Sequence, residues 1–128
     1  MYRVGLIESD RGIRECLKLI LQEEGYEVHA FAGPWPFLKA LATTRFHLLI
    51  IDVVLPGLDG CALARLLRSN PETANIPILA TTVLDHDVRT EESETCWNGT
   101  LEVPVRSETL LAAVRRCLNP ASHRASTK

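Results

Sequence analysis

No apolar run in this chain approaches the ~20 residues that a membrane-spanning helix needs. The N-terminus has no basic stretch leading into an apolar one, so no secretory leader is expected either. An excess of cations is also missing. Lys and Arg number 14 against 16 Asp and Glu, for a net charge of −2, which gives none of the basic footprint that nucleic-acid contact requires. Membrane attachment and direct nucleic-acid binding are therefore not expected, and the chain reads as cytoplasmic. Cys16, Cys61, Cys96 and Cys117 form no C-x-x-C pair, and His29, His47, His86 and His123 are equally dispersed, so no Cys/His metal spacing exists. Cys16, Cys61 and Cys117 fall in helical patterns and read as small core residues. Cys96 falls in a loop, where nothing supports a redox role. Internal repeats, linkers and low-complexity segments are lacking as well, which leaves no sign of a second domain.

What is present fits one domain. The 128 residues are 46% hydrophobic and 23% charged, enough to bury a proper core. Residues 47–60, His-Leu-Leu-Ile-Ile-Asp-Val-Val-Leu-Pro-Gly-Leu-Asp-Gly, organise the rest. The apolar run 48–51 predicts a strand buried on both faces that stops at a lone carboxylate, Asp52. Pro56-Gly57 then predicts a tight turn, and Asp59-Gly60 a helix start. Further strands are expected at residues 2–7, 26–32, 77–82 and 100–103. Helices are expected at residues 12–24, 36–42 and 60–69, and at 108–118 with Ser107 as its cap. Gly25 is the expected stop of the first helix. Residues 85–98 are acidic, have few apolar positions, and predict at most a short, weak helix. Residues 120–128 read as a polar, disordered tail after a domain spanning 1–119. Five β-α repeats with buried strands predict an α/β fold: a doubly wound, five-stranded parallel sheet with helices on both faces.

In such a sheet, ligands collect at the C-terminal ends of the strands. Those ends carry Glu8-Ser9-Asp10, Asp52, Thr81-Thr82 and Glu102-Val103. Acids beside a hydroxyl suit a hard cation and a phosphoryl group, and a carboxylate can itself be the nucleophile. The plain alternative for residues 8–10 is helix capping.

The chain resembles the receiver domain of two-component response regulators over roughly residues 2–118. The resemblance rests on Glu8-Ser9-Asp10, Ile13-Arg14-Glu15, Glu23-Glu24-Gly25-Tyr26-Glu27-Val28, Asp52 followed by Leu55-Pro56-Gly57-Leu58-Asp59-Gly60, Pro71-Glu72-Thr73-Ala74-Asn75-Ile76-Pro77-Ile78, and Pro104. It implies a flavodoxin-like sheet and phosphoryl transfer from a histidine kinase to an aspartate, with Mg²⁺ required. By that resemblance Asp52 is the phosphoacceptor and Thr82 the switch hydroxyl. Glu8 and Asp52, with the backbone carbonyl of Val54, would hold the metal.

Three positions depart from the pattern. Ser9 stands where a second, metal-binding acid is expected, Val103 where a lysine is expected, and Thr100 where an aromatic usually sits. Without the lysine, Glu8 and Asp52 lack a cationic partner, and one of them is expected to bind its proton more tightly. The resulting expectation is an atypical receiver with weakened Mg²⁺ binding and weak or absent phosphorylation, signalling through protein–protein contacts. The alternative is a conventional receiver phosphorylated on Asp52 by a histidine kinase with Mg²⁺. In neither reading is it an enzyme beyond phosphorylation of its own aspartate. Expected partners are a histidine kinase or other signalling protein, and an output domain or a second copy of the chain. Met1 reads as a native start, and the end soon after the last helix fits a stand-alone receiver or one cut from an output domain.

Overall fold

The computed structural model describes residues 1–83 and 96–119. In chain order these form β1 (Arg3–Ile7), α1 (Arg11–Glu23), β2 (Glu27–Phe31), α2 (Pro34–Ala40), β3 (Leu48–Asp52), α3 (Gly60–Ser69), β4 (Ile78–Val83), β5 (Gly99–Val103) and α4 (Ser107–Leu118). The strands make one parallel sheet in the order β2-β1-β3-β4-β5. This is the doubly wound arrangement that the sequence pattern predicts.

β3 is central, and its apolar run Leu48, Leu49, Ile50 and Ile51 has no solvent exposure. Alternation along the strand sends these side chains to opposite faces. Leu49 and Ile51 pack with Phe37, Leu63 and Leu67 beneath α2 and α3. Leu48 and Ile50 pack with Leu17, Leu21, Leu110 and Val114 beneath α1 and α4. Each fully buried side chain of this size contributes about 1.5–3 kcal/mol.

Local chemistry sets the ends of the elements. Asp10 Oδ1 accepts from the Ile13 amide at 2.9 Å and caps α1, and Asp59 Oδ1 accepts from the Ala62 amide at 2.8 Å and caps α3. Gly25, with φ of +96°, ends α1 in the left-handed region that favours glycine.

Several expectations need correction. α2 starts at Pro34, two residues early, because Gly33 is its N-cap and Pro34 takes a first-turn position whose amide would be unpaired anyway. Ser107 does not cap α4. It is the first helical residue, Arg106 precedes it as N-cap, and the serine hydroxyl donates to Glu108 at 3.3 Å. Cys16 is exposed, one position off the Leu17–Leu21 stripe, while Cys96 is buried in the core beside Trp97. The short helix expected within residues 85–98 and the tail 120–128 lie largely outside the described residues.

Arg68 ties the end of α3 to two later segments. Its guanidinium donates to the carbonyls of Ala74 (2.9 Å), Ile76 (2.7 Å) and Cys96 (3.0 Å), and to Asn98 Oδ1 (3.0 Å). Asn98 in turn bridges to Ile78, the first residue of β4, through its amide and its side chain. Burial lowers the pKa of Arg68 from its ordinary value, as expected for a cation whose hydrogen bonds replace water. Arg68→Met keeps the stem and leaves carbonyls without donors. It should lower stability by about 2–3 kcal/mol, read as a shifted urea midpoint with the fold retained by circular dichroism. An unchanged midpoint would show the clasp to be dispensable.

Candidate functional site

Asp52 ends β3, and parallel register decides what stands beside it. Ile7 pairs with Ile51, and Asp52 pairs with Thr81, so Glu8, Asp52 and Thr81 form one row across the C-terminal edge of the sheet. Glu8 is 2% exposed. Its backbone amide donates to the Phe31 carbonyl at 3.0 Å, which extends the β1–β2 pairing by one residue. Its carboxyl accepts from the Asp10 amide at 3.1 Å and from the Thr81 hydroxyl at 3.4 Å.

Both Asp52 oxygens are engaged by neutral donors. Oδ1 accepts from the Val54 amide at 2.9 Å. Oδ2 accepts from the Ser9 hydroxyl at 2.9 Å and lies 3.5 Å from the Ser9 amide. The same Ser9 Oγ lies 3.4 Å from the Val54 carbonyl. Arg14 steadies this loop from α1, donating to the carbonyls of Glu8 (2.9 Å) and Ser9 (3.4 Å). On the far side, Gly57 turns with φ of +86°, and α3 begins hard against β3. A Cβ on Gly60 would stand 2.4 Å from the Asp52 carbonyl oxygen, so only glycine permits that approach.

These residues surround a cavity of about 230 Å³ lined by Glu8, Ser9, Asp10, Ile13, Asp52, Val54, Val83 and Val103. Among the described residues, no lysine or arginine lines it. Val103 is buried and pairs in register with Val83, so an apolar wall stands opposite two carboxyl groups. Two larger hollows, of about 340 and 640 Å³, adjoin the end of α2, and among the described residues the only carboxylate lining them is Glu72. They lack the paired acids that make the smaller cavity chemically interesting.

Burial pushes the Glu8 carboxyl up to about 7, helped by the hydrogen bond that its protonated form donates to Asp52 and by repulsion from the Asp52 charge. The Asp10 amide and Thr81 hydroxyl pull it the other way. Glu8 therefore holds its proton more tightly than an ordinary glutamate.

Among the described residues no group of three His, Cys, Asp or Glu side chains could hold a metal ion. The oxygen donors that do converge are the Asp52 and Glu8 carboxyls, the Val54 carbonyl and the Ser9 hydroxyl. One atom, Ser9 Oγ, lies within 3.4 Å of both Asp52 Oδ2 and the Val54 carbonyl, so those oxygens point at a common spot. A hard oxygen set with one or two carboxylates and room for water fits Mg²⁺.

The structure thus brings Glu8, Ser9, Asp52, Val54 and Val103 together. Thr82 is buried, and its hydroxyl donates to the Val83 carbonyl at 3.3 Å, while the Thr81 hydroxyl donates to Glu8. Thr100 is exposed on β5, paired with Ala80 and away from the cavity. Glu102 is exposed and likewise does not line it. Asp10 caps α1 at the cavity margin. Ile13, Arg14 and Val83 were not evident as site residues in the sequence. The helical period marks Ile13 as core, and Arg14 acts through backbone carbonyls, which leave no pattern.

Residues 4–115 match the family model described as the response regulator receiver domain. The transcriptional regulatory protein GltR of Pseudomonas aeruginosa is 32% identical over 117 residues, which cover 91% of this chain and 48% of that protein. The chain spans about half the length, or less, of the curated relatives it matches. Among solved structures, the signal receiver domain of a signal transduction histidine kinase from Syntrophus aciditrophicus superposes with a TM-score of 0.85 at 29% identity, covering 94% of this chain and 92% of that one. The response regulator TrrA of Thermotoga maritima, solved in complex with Mg²⁺ and BeF, gives 0.83 at 27% identity, covering 92% and 100%.

The raised Glu8 value carries a pH dependence of defined sign. The folded state binds the Glu8 proton more tightly than the unfolded chain, so stability from this group is full below about 4.5 and is lost as pH rises through about 7. The whole shift would be worth about 3 kcal/mol, and solvent above the cavity screens it to roughly 1–2 kcal/mol. Glu8→Gln should therefore be more stable than the parent by that amount at pH 8 and about equal to it at pH 4.5, in paired urea titrations. A difference that does not change with pH would refute the assignment.

Proposed function

The chain belongs to the response regulator receiver domain family, and from that premise we propose that it is an atypical receiver, one whose Asp52 accepts a phosphoryl group weakly or not at all and which signals through protein–protein contacts. The observation that carries this reading is that, among the described residues, no cationic side chain lines the Asp52 cavity, where Val103 supplies an apolar wall. Phosphoryl transfer depends on positioning and on stabilising charge spread over the phosphoryl oxygens. Losing one well-placed electrostatic group typically costs about 3–4 kcal/mol of transition-state stabilisation. A missing acid and a missing cation set a scale of ~6 kcal/mol, about four orders of magnitude in rate, if the two effects add.

In this reading the chain's own residues have limited roles. An Asp52 oxygen would form the new bond to phosphorus as the donor's bond to that phosphorus breaks. Asp52 and the Val54 carbonyl would hold Mg²⁺, with Glu8 acting through water. When bound, the ion would screen the phosphoryl oxygens. The Thr82 hydroxyl reaches that group only by leaving the Val83 carbonyl. The domain is a signalling module whose only chemistry is at its own aspartate. A histidine kinase or other signalling protein is the proposed partner. The greater length of the transcriptional relatives supports an output domain, and a second copy of the chain is the other assembly considered.

A second reading, a conventional receiver phosphorylated on Asp52 by a histidine kinase with Mg²⁺, is favoured by one specific feature: the Asp52 carboxylate and the Val54 carbonyl already face one spot. Incubation with acetyl phosphate and Mg²⁺, read by intact mass, separates the two. The first reading expects a trace adduct at most in the parent, none in Asp52→Asn, and a rate at least about 100-fold higher in Val103→Lys. A rapid stoichiometric adduct in the parent, lost in Asp52→Asn, establishes the second.

A further inference from the structure

We propose that Ser9 is a positioning residue whose hydroxyl hydrogen occupies the place of a cation, locking the metal-free Asp52 carboxylate and competing with Mg²⁺ for it. The proposal rests on the receiver reading of the site and assigns a role to a residue that the family pattern treats only as a loss.

The geometry is specific. Ser9 Oγ stands 2.9 Å from Asp52 Oδ2 and 3.4 Å from the Val54 carbonyl, the two groups that would hold Mg²⁺ in the receiver reading. A hydroxyl has one hydrogen. The shorter contact is to the carboxylate, and a hydrogen bond to a charged acceptor is the stronger choice. The other Asp52 oxygen is already held by the Val54 amide at 2.9 Å. Both carboxylate oxygens are thus fixed, one from the chain just after β3 and one from the loop after β1. The loop is itself held by Arg14 through the Glu8 and Ser9 carbonyls, so the serine is not free to drift.

An acid at position 9 would add negative charge and attract a cation. The serine instead supplies a partial positive charge of its own. Binding Mg²⁺ at Asp52 Oδ2 then requires the Ser9 hydrogen to turn away. The cost is that of one charge-assisted hydrogen bond, whose net worth corresponds to a several-fold to ten-fold change in affinity.

The decisive experiment compares Mg²⁺ affinity of the parent and Ser9→Ala by isothermal titration calorimetry. Removing the hydroxyl should tighten Mg²⁺ binding by about five-fold or more. Equal or weaker binding in Ser9→Ala would overturn the proposal, weaker binding meaning that Oγ is a metal ligand. A metal-free thermal melt supplies a second readout. Ser9→Ala should lower Tm by about 2–4 °C in the parent background and leave Tm unchanged in an Asp52→Ala background. An equal loss in both backgrounds would show that Ser9 does not act through Asp52. Neither measurement depends on phosphorylation, so a parent that proves fully phosphorylatable refutes the atypical-receiver reading and leaves this test intact.

Discussion

Two carboxyl groups meet at the end of one row of a parallel sheet, and among the described residues only neutral donors meet them. Glu8 and Asp52 are neighbours because β1 and β3 pair in register and end together. Backbone amides, a serine hydroxyl and a threonine hydroxyl satisfy their oxygens. Hydrogen bonds of this kind stabilise a charge but do not neutralise it. Burial above all, then the hydrogen bond that protonated Glu8 donates to Asp52 and the repulsion between the two charges, raise the Glu8 pKa to about 7. A cation would resolve the same conflict another way. Among the described residues the cavity has no cation of its own, and Val83 and Val103 give it an apolar wall instead.

The rest of the fold holds this arrangement still. β3 is buried on both faces, so Asp52 is carried on the least deformable element of the sheet. The absence of a side chain at Gly60 lets α3 start against the Asp52 carbonyl, and Asp59 caps that start. Arg14 fixes the loop bearing Glu8 and Ser9, while Arg68 anchors the far end of α3 to the approach of β5. Two arginines thus bind backbone carbonyls and tie loops to helices. Neither contributes charge to the wall of the cavity, where a receiver's chemistry would use it.

Much of this was legible in the sequence. The apolar run of β3, the acid at its tip, and the Asp10 and Asp59 caps follow from short-range rules that residue type alone expresses. The parallel sheet follows from the β-α alternation, and the Ser9 and Val103 substitutions stand out once the motif around Asp52 is recognised. What was not legible depends on register and on backbone partners. Thr81 faces Glu8 because the β3–β4 register sets it beside Asp52, and pairing of that kind is not written in either strand alone. Cys16 looked buried because helical periodicity tolerates an error of one position, a rotation of about 100°. Pro34 starts α2 because a first-turn proline costs nothing there, while a second proline at position 36 appeared to mark the boundary. Carbonyl-binding arginines such as Arg14 and Arg68 have no sequence signature, since the acceptor is present in every residue.

The central claim is that the acceptor is intact and the charges around it are not. Binding of beryllofluoride with Mg²⁺, followed by ¹⁹F NMR, tests it directly because it reports the phosphoryl-like geometry without requiring turnover. The account predicts no bound fluoride resonances for the parent at millimolar Mg²⁺, and clear ones for a Ser9→Asp, Val103→Lys double variant. Bound resonances of full intensity in the parent would contradict it.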